Sequence, residues 1–377
     1  MDAASKAVFN FSCDLLKELM KTEQDKNIFF SPLGIATMLK MAMIGAGGNT
    51  KSEIEKVLHI SEECPTKDCE GLPESIKKLL SNKTGKKYEL QVVNGFFGEK
   101  SITFLDQYLQ LLKKDFNAEL NPTDFKHNAE AETQKINEWV KCVTNGKIID
   151  LFAKGSFNES AVLALVNAMY FKGQWAIKFN PENTKEGIFN VNKNEKKTIQ
   201  MMSHSGKFKH AVQPEIKCKI LMLPYQEDLS LIIVLPDDIE GIHEVVPKLT
   251  PELLTTLAQP GNLKETDVDV QFPKFQLEGN YDLKSQLTEL GMKEVFQENA
   301  DFSGMSDAKG LVLSCVAHKC CIDVNEEGTE AAAATGGAIS ATSAYVPEPF
   351  IVDHPFMFCL VQNTDFLILF KGVVFSP

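Results

Sequence analysis

The sequence predicts one large α+β domain that spans residues 1–377. The first two-fifths of the chain has mostly helical patterns, whereas the later part contains many short apolar runs typical of strands. Many strands combined with separate helices are typical of an α+β domain. The chain also contains no convincing linker and no internal repeat. We therefore expect a single domain.

The N-terminal part begins with an amphipathic helix, whose apolar residues recur at helical spacing: Val8, Phe11, Leu15 and Leu19. The stretch NIFFSPLGIATMLKMAMIGAGG then predicts a short strand, a turn at its Ser-Pro pair and an apolar helix that ends at 45–48. Residues 61–87 are polar and interrupted by Pro and Gly, which indicates a surface excursion. YELQVVNGFFG follows as a strand, and FLDQYLQLLKKDF and AEAETQKINEWVKCVTNG follow as helices.

The later part of the chain is rich in strand patterns. AVLALVNAMYFKGQW is a nearly continuous apolar run, as expected for a strand buried on both faces. KCKILMLPY and LSLIIVLP, separated by QED, predict a hairpin, and DVDVQFPKFQL alternates as a half-buried strand does. LVLSCVAHKCCIDVN, PFMFCLVQ and FLILFKGVVF are further predicted strands.

The charge balance argues against nucleic acid as the main partner. The chain carries a net charge of -12 at pH 7 and has a pI of about 5.2, whereas binding to phosphates requires a basic face. One group of lysines is a candidate contact for a polyanion, and its alternative is an ordinary solvated helix end and loop. The group consists of Lys77, Lys78, Lys83, Lys86 and Lys87.

Several features indicate a cytoplasmic protein. Charged residues interrupt the apolar part of the N-terminus, so no cleavable signal peptide is expected. No apolar run approaches the ~20 residues of a membrane helix. The nine cysteines have scattered spacings, which fits buried free thiols in a reducing compartment. Release from the cell without a classical signal peptide stays open.

Motifs that carry catalytic chemistry are missing from the sequence. It contains no P-loop, no H-E-x-x-H and no G-x-S-x-G, and no two cysteines form a C-x-x-C pair. The seven histidines do not cluster at metal-ligand spacing. We therefore expect neither an enzyme nor a metal or cofactor site. His318 lies in an apolar strand-like run, where a hydrogen-bonded core histidine is expected.

The stretch NEEGTEAAAATGGAISATSAYVP, residues 325–347, fits no ordinary element. Its alanines favour a helix, but a Gly-Gly pair and two following prolines oppose one. As a strand it would place small residues such as Thr329 and Ala331 on one face and Glu330 on the other. Small inward residues suit a segment that enters a crowded sheet after folding, because large ones would clash. The alternative is an Ala-rich loop with a single state.

The whole chain resembles the serpin family, and more narrowly its intracellular ovalbumin-like branch. The matching stretches, in family order, are NIFFSPLGIATML, LVNAMYFKGQW, MMSHSGKF, LPYQEDLSLIIVLP, DFSGMS, LSCVAHKCCIDVNEEGTEAAAAT and DHPFMF. The EEGTEAAAAT segment is highly specific. The resemblance implies a serpin fold of about three β-sheets and eight or nine helices, with an exposed reactive loop at about 326–350.

The resemblance also implies an inhibitor of serine proteases that acts as a suicide substrate. In this family the protease attacks the reactive loop, and the cut loop inserts into the main sheet once the acyl-enzyme has formed. The protease is then trapped as a covalent complex. The hinge of the loop matches the inhibitory pattern at Glu326, Gly328, Thr329, Glu330, Ala331, Ala332, Ala333 and Ala334.

The register of the hinge implies a scissile bond between Thr342 and Ser343. Thr342, with Ala341 before it and Ile339 further upstream, suits the shallow apolar primary pocket of an elastase-like protease. Tyr345 would suit a chymotrypsin-like enzyme only in a shifted register. Papain-like cysteine proteases are the alternative target, and a non-inhibitory serpin with a binding or scaffold role is the alternative function. We expect a monomer.

Four residues match the family's polar network and the point where insertion begins. Ser31, Asn167 and His318 match the network under the opening sheet, and Trp175 matches the tryptophan at the insertion point. Gly34 departs from a serine that family members often carry beside this network.

Overall fold

The computed structural model describes residues 2–60, 76, 87–250, 252–253, 263–326 and 347–377. These residues form seven α-helices: α1 Ala3–Thr22, α2 Pro32–Met43, α3 Gly48–Val57, α4 Asp106–Phe116, α5 Phe125–Val143, α6 Ile242–Val245 and α7 Lys284–Leu290. Three short 3-10 helices lie at Pro181–Asn183, Val246–Lys248 and Glu294–Phe296.

Local sequence signals explain how the first two helices start. The side chain of Asp2 accepts a hydrogen bond from the Ser5 N–H at 2.7 Å and so caps α1. Ser31 caps α2 in the same way, with Pro32 at the first helical position, where its fixed φ angle is already helical. The predicted apolar face of α1 is confirmed, because Val8, Phe11, Leu15 and Leu19 are all buried.

Fourteen strands lie in the described residues. They are β1 Ile28–Phe30, β2 Tyr88–Glu99, β3 Leu120–Thr123, β4 Leu163–Gly173, β5 Lys185–Asn190, β6 Lys196–Gln213, β7 Cys218–Pro224, β8 Leu229–Pro236, β9 Lys264–Pro273, β10 Phe275–Asp282, β11 Leu313–Val324, β12 Glu348–Ile351, β13 Phe356–Gln362 and β14 Leu367–Val374. The predicted hairpin is confirmed, since β7 and β8 pair antiparallel.

Hydrogen bonds join these strands into two sheets. One has five strands in the order β10-β11-β4-β2-β3, and the other has nine, with β5 pairing β6 beside the path β1-β14-β13-β8-β7-β6-β9-β12. The described residues thus form two continuous sheets where about three were expected. The reason is the length of β6, whose 18 residues pair successively with β5, β9 and β7.

Two apolar clusters hold the layers together. The larger one includes buried residues of α1 and α2 and of both sheets, such as Phe11, Phe171 and Phe370. A smaller cluster lies where α5 and the chain after it cover strands β2, β4 and β11, and it includes Ile136 and Leu151. The central strand β4 is therefore buried on both faces, as its apolar run predicted.

Gly279 marks the closest approach of β10 to another strand. A Cβ at this position would lie 1.8 Å from the carbonyl oxygen of Phe29 in β1. Because this oxygen belongs to the main chain, it cannot rotate away as a side-chain atom could. We expect Gly279→Ala to lower the free energy of unfolding by about 1–3 kcal/mol in a chemical denaturation curve.

Gln276→Ala is the control for Gly279→Ala, because Gln276 lies on the same strand with an exposed side chain. This variant is expected to stay within about 0.5 kcal/mol of the unmodified protein. Equal stability of the two variants would contradict the proposed close contact.

Candidate functional site

The candidate site lies where β11 ends and the segment singled out in the sequence begins. β11 pairs with β4 in parallel, from Leu313 opposite Leu163 to Ile322 opposite Phe171. The chain is described as far as Glu326 and again from Pro347. The remaining hinge and loop residues predicted from the sequence lie outside the described residues: Gly328, Thr329, Glu330, Ala331, Ala332, Ala333, Ala334, Ile339, Ala341, Thr342, Ser343 and Tyr345.

Trp175 holds the main chain directly after β11. Its indole N–H donates a hydrogen bond to the carbonyl oxygen of Asn325 at 2.7 Å. The indole is 1% exposed and stacks on the ring of Tyr225, with the ring centroids 4.0 Å apart. Trp175 therefore lies at the exit of the chain from the sheet, and its role at the point where insertion begins stays a prediction.

Glu326 is the next residue and is held by three groups. Its carboxylate accepts a hydrogen bond from the Thr184 hydroxyl at 2.9 Å and pairs with the Lys274 ammonium at 2.9 Å. The N–H of Phe179 donates to its carbonyl oxygen at 3.2 Å. Burial alone would raise the pKa of Glu326, but the hydrogen bonds from Lys274, the main chain and Thr184 outweigh it and lower this pKa. The residue is therefore ionised at neutral pH.

The far end of the loop is also attached to the fold. β12 begins at Glu348 and pairs in parallel with β9 over four residues. Its Phe350 is fully buried, and the Val352 N–H donates to the carbonyl oxygen of Gln271 at 2.9 Å. Both ends of this segment are thus anchored, one directly after β11 of the five-stranded sheet and the other in β12 of the nine-stranded sheet.

A polar network crosses the middle of the five-stranded sheet. Asn94, Asn167 and His318 lie side by side on β2, β4 and β11. The Asn167 amide donates to the Asn94 side-chain oxygen at 2.7 Å, and the Asn167 oxygen lies 2.8 Å from Nδ1 of His318. The other ring nitrogen of His318 lies 2.9 Å from the Ser31 main-chain N–H. Asn167 and His318 together therefore connect three strands and the start of α2.

These partners determine the protonation of His318. The Ser31 N–H donates to Nε2, so Nε2 carries no proton and Nδ1–H donates to Asn167. Burial lowers the pKa of His318 to about 3. The expectation of a buried, hydrogen-bonded core histidine is confirmed, and the ring is neutral at physiological pH.

Ser31 and Gly34 complete the network on the α2 side. The Ser31 hydroxyl donates to the Leu369 carbonyl oxygen at 2.6 Å and accepts from the Gly34 N–H at 3.0 Å. A Cβ at Gly34 would lie 2.4 Å from the Asn167 side-chain oxygen and 2.5 Å from the Met169 sulfur. Glycine therefore permits the close approach of α2 to Asn167, and a serine would require these side chains to move.

Two ionic contacts near β11 were not anticipated from the sequence. Lys172 and Asp323 form an ion pair of 3.4 Å between β4 and β11. Lys319 is 4% exposed, and its ammonium binds the Ile149 carbonyl oxygen at 2.7 Å and the Glu278 carboxylate at 2.7 Å. Lys319 thereby attaches the chain after α5 to β11. The sequence did contain one signal for this contact. Lys319 lies within an apolar strand run, and a lysine that is buried there requires a partner for its charge.

Little of the proposed lysine cluster can be located. Lys77, Lys78, Lys83 and Lys86 lie outside the described residues. Lys87 is exposed, and its main-chain N–H donates to the Glu227 carboxylate at 2.9 Å. Contact with a polyanion stays a prediction. Separately, none of the helices in the described ranges is long and apolar enough to cross a membrane.

Comparison with known proteins identifies the class that this fold and site define. The family model for serpins, described as serine protease inhibitors, matches residues 6–377, so the chain belongs to the serpin family. Serpin B13 from Homo sapiens is 41% identical and leukocyte elastase inhibitor from Sus scrofa is 42% identical, each over 100% of both chains. These relatives confirm the ovalbumin-like branch expected from the sequence.

Solved structures confirm the serpin fold. Uncleaved ovalbumin matches with a TM-score of 0.91 at 30% identity over 100% of both chains. Human thyroxine-binding globulin, solved with its hormone bound, matches with a TM-score of 0.89 at 30% identity over 99% of this chain and 98% of its own.

His318 makes stability depend on pH. Burial holds the pKa of His318 at about 3 in the fold, far below its ordinary value of 6.5, so the unfolded chain takes up a proton first and stability is expected to fall as the pH drops below about 6.5. We expect a loss of about 2 kcal/mol from this group between pH 8 and pH 5 in denaturant unfolding. His318→Gln should show a correspondingly flatter pH dependence; an unchanged slope would contradict the assignment.

The ion pair at the loop exit is testable by charge exchange. Glu326→Lys places two ammonium groups together at a mostly buried position and is expected to cost about 2 kcal/mol of unfolding free energy. Lys274→Glu should also destabilise the protein. The double variant restores opposite charges and should recover part of the loss in thermal unfolding. If the double variant loses as much unfolding free energy as the two single variants together, the two side chains do not form a direct pair.

Proposed function

We propose that the protein inhibits serine proteases as a suicide substrate, with Thr342–Ser343 as the scissile bond. The observation that carries this proposal is the parallel pairing of β4 and β11 directly before the anchored exit at Glu326. A chain that turns back after β11 runs antiparallel to β11 and, because the two strands are parallel, antiparallel to β4 as well. An inserted segment would therefore complete two antiparallel ladders in place of one parallel ladder.

The composition of the hinge fits such an insertion. The site between β4 and β11 is covered on one face by the main core and on the other by α5 and the chain after it. Small side chains such as Ala331 and Ala333 can enter there without displacing either layer. The inserted backbone gains the hydrogen bonds of a central strand, and this gain offsets the separation of His318 from Asn167 and of Lys172 from Asp323.

The proposed mechanism begins as ordinary proteolysis. The protease's serine attacks the Thr342 carbonyl carbon, the peptide bond to Ser343 breaks, and the new amine leaves with the C-terminal fragment. The acyl-enzyme is then carried along as the freed segment inserts from Thr329 onward. Fourteen residues at ~3.3 Å each give a displacement on the order of 45 Å. Distortion of the protease's oxyanion hole and triad would prevent deacylation.

The residues around the proposed bond favour an elastase-like target. Thr342 and Ala341 suit a shallow apolar pocket, and no Lys or Arg lies in the loop to attract a trypsin-like protease. The pig relative is named leukocyte elastase inhibitor, which supports this choice. Papain-like cysteine proteases stay the alternative target. We also propose that the protein acts as a monomer in the cytoplasm.

A second candidate function is binding without inhibition. The thyroxine-binding globulin structure contains thyroxine, so a protein of this fold can hold a small ligand. The small residues of the hinge favour inhibition over this alternative, because a purely binding role does not require a loop that fits into the sheet.

A trapping experiment tests the proposal. The protein is mixed with an elastase, a chymotrypsin-like protease and a papain-like protease, then analysed on denaturing gels and by mass spectrometry of the released peptide. We expect a denaturant-stable complex with the elastase and a peptide that begins at Ser343. Complete cleavage with no complex for any serine protease would contradict inhibition, and a different first residue would contradict the register.

Two neighbouring substitutions test insertion itself. Thr329→Arg places a charge on the face that would turn inward, so this variant should be cleaved without trapping the protease. Glu330→Arg is the matched control, because residue 330 would point to the opposite face and should keep its trapping ability. Equal trapping by the two variants would contradict insertion of this segment as a strand.

A further inference from the structure

A buried ammonium group lies between α1 and β14 and contacts a thiol. Lys371 of β14 is 1% exposed, and its ammonium donates hydrogen bonds to the Ser12 hydroxyl at 3.2 Å and to the Cys13 sulfur at 3.3 Å. Its Nζ also lies 5.4 Å from the centre of the Phe9 ring. Among the described residues, no carboxylate pairs with this ammonium. Because a lysine this buried is almost always paired with an opposite charge, its contact with a thiol is unusual.

The fold holds the amine and the thiol in fixed positions. Phe9, Ser12 and Cys13 lie three and four residues apart on α1, so they share the helix face that meets Lys371. Cys13 is 8% exposed, and its thiol also lies 3.9 Å from the Leu249 carbonyl oxygen. The sulfur is therefore oriented by contacts on both sides, and one of these contacts is a primary amine.

Cys13 differs from the other described cysteines in this contact. In the part of the chain that the structure describes, no other cysteine sulfur accepts a hydrogen bond from an ammonium. Cys359 lies directly opposite Lys371 in the ladder of β13 and β14 and is the nearest comparison. Burial raises the pKa of Cys359 to about 11, which keeps this residue an unreactive thiol. Oxidation at this place is therefore expected at Cys13.

We propose that Cys13 and Lys371 form a covalent cross-link between α1 and β14 when the protein meets hydrogen peroxide. The link is a sulfenamide, a single bond between Sγ of Cys13 and Nζ of Lys371. This modification site is separate from the loop and does not depend on protease inhibition. It makes the attachment of the first helix to the nine-stranded sheet sensitive to oxidants.

The reaction takes two balanced steps. The Cys13 sulfur first attacks one oxygen of the peroxide, the O–O bond breaks, and the products are a sulfenic acid and water. The Lys371 ammonium gives up one proton, and the free amine attacks this sulfur. The N–S bond forms, the S–O bond breaks, and the hydroxyl group leaves with a proton as a second water. The sulfur loses two electrons, and the peroxide gains them.

Small-molecule thiols would reverse the link. A thiolate attacks the Cys13 sulfur, the N–S bond breaks, and the Lys371 amine takes up a proton. A second thiolate then reduces the mixed disulfide on Cys13, so the original side chains return and the two thiols leave as their disulfide. The proposed cross-link is therefore a reversible modification.

Peptide mapping of the full chain tests the cross-link directly. The protein is treated with hydrogen peroxide, its free thiols are blocked with an alkylating agent, and it is digested with trypsin. We expect the peptide Ala7–Lys17 to be joined to a peptide that continues through Lys371 to Pro377, because trypsin does not cut after a modified lysine. The joined mass should be two hydrogen atoms below the sum of the two peptides, and thiol treatment should separate them.

Thermal unfolding gives a second measurement. A bond between residues 13 and 371 closes nearly the whole chain into one loop, so peroxide should raise the midpoint of the wild-type protein by on the order of 5 °C. Cys13→Ser and Lys371→Arg should lose both the joined peptide and this rise, because a guanidinium keeps the charge but is a poor nucleophile. Cys359→Ser is the matched control and should keep both.

Three results would overturn the inference. The first is a joined peptide that links Cys13 to Cys359, which would show a disulfide. The second is a Cys13 that is oxidised but joined to nothing. The third is a Cys13 that the alkylating agent modifies equally before and after peroxide. Each result is read from the wild-type protein, so the test does not depend on whether the Lys371→Arg variant folds.

Discussion

The pairing of β4 with β11 is the interaction on which the rest of this structure depends. Both faces of the pair are covered by apolar clusters, and the Asn167–His318 contact joins the strands at mid-length. The pair is nevertheless parallel, and the proposed insertion of the segment that follows β11 would replace it with two antiparallel ladders, which are more stable per residue. In the proposed mechanism, the native fold persists only as long as this segment stays outside the sheet.

Much of the architecture could be predicted from the sequence because its signals are local. The apolar spacing of α1, the Ser-Pro start of α2 and the unbroken apolar run of β4 each lie within one element. His318 was also predictable as a buried histidine, since its strand run allows little else. The joining of the strands into two sheets was not predictable from the sequence, because it depends on how much of β6 pairs with β7 and β9.

The contacts that hold the loop exit could not be predicted, because they join residues far apart in the sequence. Glu326 meets Lys274 and Thr184, and Lys319 meets the carbonyl of Ile149. Each of these residues is an ordinary charged or polar residue in its own segment. The family resemblance implied Trp175 and the polar network, but the Tyr225 ring that stacks on Trp175 has no local sequence pattern that separates it from any other core tyrosine.

The two anchors of the loop have a topological consequence. Glu326 is held directly after β11 of the five-stranded sheet, and Phe350 lies in β12 of the other sheet, so the segment between them is fixed at both ends. While both ends are held, the full length of the segment cannot insert into one sheet. In the proposed mechanism, a single cut gives the segment a free end, and its pairing within the sheet is then irreversible. Each inhibitor molecule would then act only once. One copy would be consumed for every protease molecule that it stops, so inhibition would last only as long as new copies are made.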